Sequence, residues 1–560
     1  MNASNLHQAL LCPTSYPEDT GPVSFKETHI SRLYFTQDHV YKVKKPVDFG
    51  FLDFTTLEKR RYFCQREVEL NARFSPDTYL DVVEIRINGV AYQVGHGKAG
   101  EIVDYAVRMK RLPHNRMLAT KLARAEQDLP EEMKRLGHHI AMLHLQAPPQ
   151  RSGAGQPHSQ RVQFNWDENL RQTAPFVGDT LLTEAQELMV AYVDDFFQRS
   201  TDLLQQREAA GYVIDGHGDL HTEHICLTDP IRIYDCIEFN DRFRIDDRVA
   251  DLAFLLMDLE HRNRPDLARI LTDAYLATIG VDPDFHRLLT FYKIYRAWVR
   301  GKVMSFLSRD TELSAAEAKQ AREVARSYFN QALGYLCPQA LILTCGLMGV
   351  GKSTLAQQLA QALRGTLLRS DDTRKRLQGI DPEERIRVPF GQGLYGPAVT
   401  KSTYAALWRQ AGGQLEQGAT VIIDASFSQR PYRERFKNLA EAQGLICRIL
   451  WLRCPENVIR QRLRQRQSQG NDPSDGREEL LEQQKLAFNL PRPGKDTLPI
   501  DSDQPVYAIS RPSSAIWREP DREPSNPQKL RREHLATDGF MRYRRQIKDD
   551  ISNHCGQDMR

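Results

Sequence analysis

The sequence lacks several features that would restrict the protein to a narrow class. Its formal net charge is only +3 over 560 residues, so no overall basic field points to nucleic acid. No apolar run is long enough to span a bilayer, and the first residues lack the basic segment and apolar core of a signal peptide. The nine cysteines form no CxxC pairs, which disfavours a zinc site or a disulfide framework. We therefore expect a cytoplasmic protein without membrane contact.

The clearest motif is a glycine-rich loop far along the chain, ILTCGLMGVGKSTL at 342–355. An apolar run precedes the loop and a helix-forming stretch follows it, which is the strand–loop–helix context of a phosphate-binding P-loop. Glycines let successive backbone N–H groups converge on phosphate oxygens at a helix N-terminus. In such a loop the lysine neutralises the β- and γ-phosphates and the serine binds Mg²⁺. The predicted nucleotide-binding residues are Gly346, Gly349, Gly351, Lys352, Ser353 and Thr354, with Lys352 also catalytic and Ser353 also a metal ligand.

The segments after this loop alternate between apolar runs and charged, helix-forming stretches. GATVIIDASF at 418–427 and GLICRILWLRCP at 444–455 are two of the apolar runs. The alternation predicts an α/β domain whose parallel sheet carries helices on both faces. Ligands bind such sheets at the carboxyl ends of the strands. Asp371 and Asp424 follow predicted strands, so we expect both to lie near the P-loop.

The carboxy-terminal half resembles the small P-loop kinases of the gluconate kinase, polynucleotide kinase and zeta-toxin group over about residues 339–500. The resemblance implies that Asp371 orients or deprotonates the acceptor hydroxyl, with the adjacent Asp372 as the alternative. It implies that Asp424 holds Mg²⁺. Arg462 and Arg466 lie four residues apart on one predicted helix face and resemble the arginines of a lid that closes over the transferred phosphate.

The densest motif of the first half is YVIDGHGDLH at 212–221. A predicted β-hairpin follows, with strands near 225–227 and 231–234, and Asp235 stands at its end. Six acidic residues lie between 235 and 251, more than a solvated loop needs. A phosphoryl-transfer site requires one carboxylate near the acceptor hydroxyl and others for Mg²⁺. The loop, the hairpin and its terminal aspartate supply that set.

These motifs resemble the aminoglycoside phosphotransferases and their kinase-like relatives over about residues 25–330. The resemblance implies an α+β, protein-kinase-like fold with Asp219 as the catalytic base. Asp235 matches the metal-binding aspartate after the hairpin, and Glu238 can share or take that role. Asp251 matches the acid that braces the catalytic loop. His224 stands where the family has a metal-binding asparagine, which is the main departure and makes His224 a candidate metal ligand.

The upstream elements agree with this reading. The stretch HVYKVKK at 39–45 is a predicted strand whose alternation places Lys42 and Lys44 on one face. We favour Lys42 for the α- and β-phosphates and keep Lys44 as the alternative. By the resemblance, Glu67 on the following helix is the ion-pair partner of the lysine. Met109 opens the segment that the resemblance places against adenine.

The whole chain resembles the bifunctional proteins that join an aminoglycoside-phosphotransferase-like domain to a P-loop kinase domain. We predict an N-terminal arm at 1–24, the kinase-like domain at 25–337, the P-loop kinase domain at 338–505 and a charged tail at 506–560. The tail is poor in apolar residues and is expected to be disordered.

The resemblance implies an ATP- and Mg²⁺-dependent phosphotransferase that acts on a hydroxyl group of a small metabolite. One alternative is that the first domain binds nucleotide or ligand without turnover and regulates the second, because imidazole is a softer Mg²⁺ ligand than an amide oxygen. A further alternative is polynucleotide end kinase activity, which draws on the P-loop relatives and on basic clusters of the tail that could contact nucleic acid. The acceptor itself depends on loop shapes that the sequence does not reveal.

Overall fold

The computed structural model describes residues 3–503 except for gaps at 19, 98, 153–154, 312, 364, 382–383, 385–388, 390, 417 and 470–476. Two compact units are present, one from residues 1–166 and 192–300 and the other from 167–191 and the chain after 301. This division does not coincide with the boundary expected at residue 337, which stays a prediction. The tail at 506–560 lies outside the described residues. Among the helices in the described ranges, none combines the length and the apolar character needed to cross a membrane.

The first unit begins with an antiparallel sheet. Its strands are β1 (Ser24–Glu27), β2 (Ser31–Phe35), β3 (His39–Lys44), β4 (Tyr79–Asn88), β5 (Ala91–Gly95) and β6 (Glu101–Lys110), in the spatial order β1-β2-β3-β6-β4-β5. Helices α1 (Ala3–Leu10) and α2 (Leu57–Asn71) cover opposite faces, because Leu10 shares a core cluster with Tyr41 whereas Cys64 shares one with Val40. Since side chains alternate along a strand, the even-numbered residues of β3 face α2.

The rest of the amino-terminal half is mostly helical. Its helices are α3 (Leu118–Ala123), α4 (Leu129–Gln146), α5 (His158–Thr173), α6 (Thr183–Ala209), α7 (Arg248–His261), α8 (Pro265–Ile279), α9 (Phe285–Leu307) and α10 (Ala315–Gly334). Four short strands lie between α6 and α7, namely β7 (Val213–Asp215), β8 (Ile225–Cys226), β9 (Arg232–Ile233) and β10 (Ile245–Asp247). Strands β8 and β9 form a hairpin in which Ile225 pairs with Ile233, and β7 pairs with β10. The two pairs frame the loops that carry the acidic cluster.

Strands and helices alternate in the carboxy-terminal half. They are β11 (Ala340–Cys345), α11 (Lys352–Ala362), β12 (Thr366–Arg369), α12 (Ser370–Leu377), α13 (Pro397–Glu416), β13 (Val421–Asp424), α14 (Arg430–Ala442), β14 (Ile446–Arg453), α15 (Glu456–Gln469), α16 (Leu481–Ala487) and β15 (Thr497–Asp501). The strands form one parallel sheet in the order β12-β13-β11-β14-β15. Leu341 and Leu343 share a core cluster with Phe436 of α14, whereas Ile342 shares one with Leu355 of α11. Helices therefore cover both faces.

These topologies confirm the predicted fold class. The first part combines an antiparallel sheet with helices, as expected for an α+β, kinase-like fold, and the second is an α/β P-loop fold with a parallel sheet. The continuous apolar run of β11, buried at every position, is what a strand in the middle of a helix-covered parallel sheet requires.

Candidate functional site

Strand β3 and helix α2 bring two lysines to one buried glutamate. Lys42 Nζ lies 2.7 Å from Glu67 Oε1, and Lys44 Nζ lies 2.7 Å from Glu67 Oε2. Lys42 also donates to Asp235 Oδ1 at 2.5 Å, and Lys44 donates to Glu238. Burial disfavours the charged form of Lys42, yet the carboxylates of Asp235 and Glu67 outweigh it and raise the pKa of Lys42 above its ordinary value. Both candidate lysines therefore reach Glu67 as cations.

The two lysines differ in access to solvent. The side chain of Asp235, which pairs with Lys42, is 39% exposed, whereas that of Glu238, which pairs with Lys44, is 4% exposed. Of these two ion pairs, only Lys42–Asp235 is accessible to a ligand. Lys42 thus belongs to the more exposed pair and Lys44 to the buried one, and the assignment of Lys42 to phosphate stays a prediction.

The HGD loop is held through its backbone. The His217 N–H donates to Asp251 Oδ2 at 2.5 Å, and the Gly218 N–H donates to Asp251 Oδ1 at 2.7 Å. Gly218 has φ +81°, and a Cβ there would lie 2.9 Å from the backbone oxygen of Phe243, so a glycine is required. The loop leaves the Asp219 side chain 34% exposed. A substrate hydroxyl can therefore reach this carboxylate.

Two histidines lie against Asp219. His221 Nε2 is 3.5 Å from Asp219 Oδ2, and His224 Nδ1 is 2.9 Å from the backbone oxygen of Asp219. His224 Nε2 is 3.5 Å from Asp235 Oδ2, so this imidazole stands between the two predicted catalytic and metal-binding carboxylates. Burial alone would raise the pKa of Asp219, but the neighbouring His221 side chain outweighs it and holds that pKa well below its ordinary value. Sequence reasoning assigned no role to His221, although the repeated histidine in HGDLH was the available signal.

Asp235 adopts a conformation that few aspartates adopt. Its φ is +65°, in the left-handed region, which costs about 1–3 kcal/mol unless the surroundings impose it. The Asp235 N–H donates to the Tyr79 hydroxyl at 2.8 Å, and the following Cys236 N–H donates to Asn71 Oδ1 at 2.9 Å. Strand β4 and helix α2 therefore fix the carboxylate beside Lys42. The contacts of Tyr79 and Asn71 were not predicted from the sequence.

Met109 lies on β6 opposite Val40 of β3 and is buried. Lys110 ends β6 opposite His39; its N–H donates to the Thr78 oxygen, and the Arg111 N–H donates to the Asp38 oxygen. The assignment of this segment to adenine binding stays a prediction.

The P-loop connects β11 to α11. Gly349 has φ +74° and Gly351 has φ +91°, and α11 begins at Lys352 directly after them. Lys352 Nζ donates to the backbone oxygen of Leu347 at 2.8 Å, so its side chain lies across the loop. Ser353 and Thr354 occupy the first turn of α11. The loop and the helix start thus have the arrangement that binds phosphate groups.

The predicted acids of this half lie at the carboxyl ends of two neighbouring strands. Asp424 ends β13 opposite Arg369, the last residue of β12, and Arg369 Nε is 3.6 Å from Asp424 Oδ2. Asp424 Oδ1 is 3.5 Å from the Thr344 hydroxyl of β11. Asp371 stands in the first turn of α12, with Arg374 Nη1 3.0 Å from its Oδ1. The Ser353 hydroxyl and the Asp424 carboxylate are oxygen donors of the kind that Mg²⁺ prefers.

The predicted lid arginines lie on α15. Arg462 Nη2 donates to the backbone oxygen of Ser502 at 2.7 Å, and a Cβ on Gly351 would lie 3.8 Å from Arg462 Nη1. Arg462 therefore stands next to the P-loop. Arg466 belongs to the same helix, but its side chain lies outside the described residues.

Known proteins are similar to this chain in sequence. A family model described as an AAA domain matches residues 341–491. The chain is 30% identical over 422 residues to the uncharacterized protein Rv2004c of Mycobacterium tuberculosis and, equally, to the uncharacterized protein Mb2027c of Mycobacterium bovis. Each alignment covers 75% of this chain and 81% of the relative.

Solved structures also resemble parts of the chain. A gluconokinase from Sinorhizobium meliloti 1021 is 22% identical, with a TM-score of 0.24, over 32% of this chain and 90% of the gluconokinase. The GDP complex of wild-type aminoglycoside 2′-phosphotransferase-IIIa is 14% identical, with a TM-score of 0.38, over 58% of this chain and 98% of that enzyme. The P-loop domain recognised in the sequence is confirmed by the family model over residues 341–491 and by the parallel sheet.

Proposed function

This chain belongs to the same family as the two mycobacterial proteins, and we propose that it is an ATP-dependent phosphotransferase with two nucleotide-binding sites. It transfers the γ-phosphate of ATP to a hydroxyl group of a small metabolite. The observation that carries the proposal is that each half has a lysine and two aspartates on the loops and element ends that form its candidate site. These are Lys352 with Asp371 and Asp424 in the P-loop half, and Lys42 with Asp219 and Asp235 in the other.

In the P-loop half, the backbone N–H groups before α11 and the Lys352 ammonium bind the β- and γ-phosphates. Asp371 accepts the proton of the acceptor hydroxyl, whose oxygen forms the new bond to the γ-phosphorus while the bond to the leaving ADP oxygen breaks. Mg²⁺, when bound by Ser353 and Asp424, neutralises part of the phosphate charge. Arg374, paired with Asp371 at 3.0 Å, orients that carboxylate.

In the amino-terminal half, Lys42 binds phosphate and Glu67 positions Lys42. Asp219 accepts the proton of the acceptor hydroxyl, which its partly exposed side chain can reach. The buried lysine–glutamate pair fixes the geometry before the ligand arrives, so little ordering remains to be done on binding.

One observation favours a second candidate function for this half. Two imidazoles, those of His221 and His224, lie beside the Asp219 and Asp235 carboxylates, so this half offers fewer oxygen ligands for Mg²⁺ than a phosphoryl-transfer site requires. A domain that binds nucleotide without turnover and regulates the P-loop kinase would have these properties. This regulatory role is the alternative to catalysis by the amino-terminal half.

We place the protein in the cytoplasm. The eight cysteines in the described ranges are free thiols, which is typical of a reducing compartment. The polynucleotide end kinase alternative depends on the tail at 506–560, outside the described residues, so it stays a prediction.

The test measures ADP formation by the purified full chain with ATP, Mg²⁺ and a library of hydroxylated metabolites. Lys352→Ala should lower transfer by the P-loop half at least about 10²-fold, because one cationic contact to the developing phosphate charge is lost. Asp219→Asn should abolish transfer by the other half while ATP still binds. Lys319→Ala, which removes an exposed lysine of α10, is the control and should change nothing. Wild-type rates in the Lys352→Ala protein with every acceptor would contradict the P-loop assignment, and unchanged transfer in Asp219→Asn would favour the regulatory role.

A further inference from the structure

The donor atoms around Asp219 are not those of an ordinary Mg²⁺ site. Asp219, His221 and His224 each offer one ligand atom, and these atoms lie within 4.8 Å of one another. Asp235 adds a carboxylate oxygen 3.5 Å from His224 Nε2. Two imidazoles therefore accompany the two carboxylates, whereas Mg²⁺ prefers a shell made only of oxygen atoms. The residues present do not fit a pair of Mg²⁺ ions.

Hydrogen bonding decides which nitrogen of His224 can bind a metal ion. The backbone oxygen of Asp219 can only accept a hydrogen bond, so His224 Nδ1, 2.9 Å away, must carry the proton and donate it. The neutral ring then keeps its lone pair on Nε2, the atom that faces Asp235 Oδ2. Metal-binding histidines are commonly oriented in this way, by a hydrogen bond from the other ring nitrogen to a carbonyl or carboxylate oxygen.

His221 has the opposite arrangement. Its Nδ1 accepts a hydrogen bond from the Glu223 backbone N–H at 3.4 Å, so the proton of the neutral ring is on Nε2. That proton points to Asp219 Oδ2, 3.5 Å from the nitrogen. His221 therefore orients Asp219 and presents no lone pair to a cation. The ligand pair that remains is His224 Nε2 with the Asp235 carboxylate.

The two carboxylate oxygens of Asp235 have different partners. Its Oδ1 accepts from Lys42 at 2.5 Å, and its Oδ2 faces His224. An electron-rich nitrogen and a carboxylate oxygen that face each other with no proton between them repel unless a cation lies between them. The exposed fraction of Asp235 leaves room for phosphate oxygens and water to complete the coordination shell.

We propose that the amino-terminal nucleotide site binds a first-row transition-metal ion, in preference to Mg²⁺, through His224 Nε2 and the Asp235 carboxylate. An imidazole ligand raises affinity for the Mn²⁺-to-Zn²⁺ series relative to Mg²⁺. The P-loop half, with Ser353 and Asp424, keeps an oxygen-only set, so the two nucleotide sites of one chain differ in metal preference. The inference rests on the proposed nucleotide binding by the amino-terminal half.

The test uses Mn²⁺ as the probe, because its unpaired electrons report directly on coordinated nitrogen. The full chain with Lys352→Ala, which weakens the P-loop site, is produced with ¹⁵N-labelled histidine and mixed with Mn²⁺ and a non-hydrolysable ATP analogue. Pulsed electron paramagnetic resonance should show coupling to an imidazole ¹⁵N. Adding His224→Asn should remove the coupling and lower Mn²⁺ affinity at least about tenfold, with Mg²⁺ affinity unchanged or higher. The control is His138→Asn, an exposed histidine of α4, which should keep the coupling.

The outcomes separate this proposal from the proposed function. If the analogue binds and no imidazole coupling appears, the metal assignment is wrong and nucleotide binding stands. If the coupling survives His224→Asn but disappears in His221→Asn, the ligand assignment is wrong. If calorimetry detects no analogue binding to the Lys352→Ala chain, the nucleotide site proposed for the amino-terminal half is itself wrong.

Discussion

At the level of single residues, Lys42 and Lys44 show how two similar side chains can have different functions. Both contact Glu67, yet one belongs to an open pair with Asp235 and the other to a closed pair with Glu238. A charge that faces a ligand site contributes mainly to binding. A charge enclosed with two carboxylates contributes mainly to stability, because its removal leaves buried charges without a partner.

We therefore expect different results from Lys42→Met and Lys44→Met. Lys42→Met should reduce nucleotide affinity of the amino-terminal half at least about tenfold, since the contact to phosphate is lost. Lys44→Met should destabilise the protein by about 3–5 kcal/mol, since Glu238 and Glu67 lose a buried counter-charge. The measurements are nucleotide titration in the Lys352→Ala background and denaturant unfolding, with Lys45→Met, directly after the same strand, as control. The reverse pattern would show that Lys44 is the phosphate ligand.

The sequence predicted the residues of this site better than their contacts. Motif and strand alternation identified Lys42, Glu67, Asp219 and Asp235. The Lys44–Glu238 pair joins residues 194 positions apart, so only the packing of the hairpin end against β3 reveals it. The tautomers of His221 and His224 could not be predicted from the sequence either, because they depend on which backbone groups lie beside each ring.

At the level of elements, the P-loop was predictable because its local sequence features all indicate the same strand–loop–helix structure. An apolar strand, glycines in the left-handed region and a helix starting at Lys352 all lie within one short segment. The helix-forming stretch expected after the loop is α11, observed over Lys352–Ala362 with the lysine as its first residue. The position of Asp424 at the end of a neighbouring strand followed from the same βαβ logic.

Gly351 tests whether the backbone of this element carries the function. Its φ of +91° is strained for any residue with a Cβ, so Gly351→Ala should cost about 1–2 kcal/mol and displace the N–H groups at the start of α11. We expect nucleotide affinity of the P-loop half to fall at least about tenfold. Gly413→Ala is the matched control, because that helical glycine of α13 has no atom within 4 Å of an added Cβ and should gain about 0.5–1 kcal/mol. Nucleotide titration of both variants in the Lys42→Met background, which weakens the other nucleotide site, would contradict the role of the loop if their affinities were equal.

At the level of the whole molecule, the division into two compact units could not be predicted from the sequence. Segment 167–191 groups with the chain after residue 301 through contacts between distant residues. Lys302 Nζ donates to Asn169 Oδ1 at 2.5 Å, and the hydroxyls of Thr180 and Ser305 lie 2.6 Å apart. Composition and proline positions report on local chain breaks, so they cannot show that a helix packs with residues more than a hundred positions away.

Buried histidines make the stability of the first unit depend on pH. Burial lowers the pKa of His144 to about 4 and that of His217 to about 4. In the unfolded chain the pKa of histidine is about 6.5. As pH falls from about 6.5 towards 4, these histidines become protonated in the unfolded chain but stay neutral in the folded protein. The free energy of unfolding therefore decreases. His221 works in the opposite sense: burial lowers its pKa, but Asp219 outweighs this and raises it.

Burial lowers the pKa of His139 and of His224 as well, so the lowered histidine pKa values outweigh the raised pKa of His221, and we expect the protein to lose stability between about pH 7 and pH 5. His144 is the residue to test, because it is buried in α4, with its Nδ1 2.9 Å from the Tyr275 hydroxyl and its Nε2 3.9 Å from Asp251 Oδ2. His144→Gln should weaken the pH dependence by up to about 1.4 kcal/mol per pH unit, since glutamine does not titrate. Calorimetric unfolding at the two pH values and matched ionic strength measures this, with His138→Gln on the exposed side of α4 as control. If His144→Gln kept the full pH dependence of the wild type while His138→Gln reduced it, burial of His144 would not be the cause.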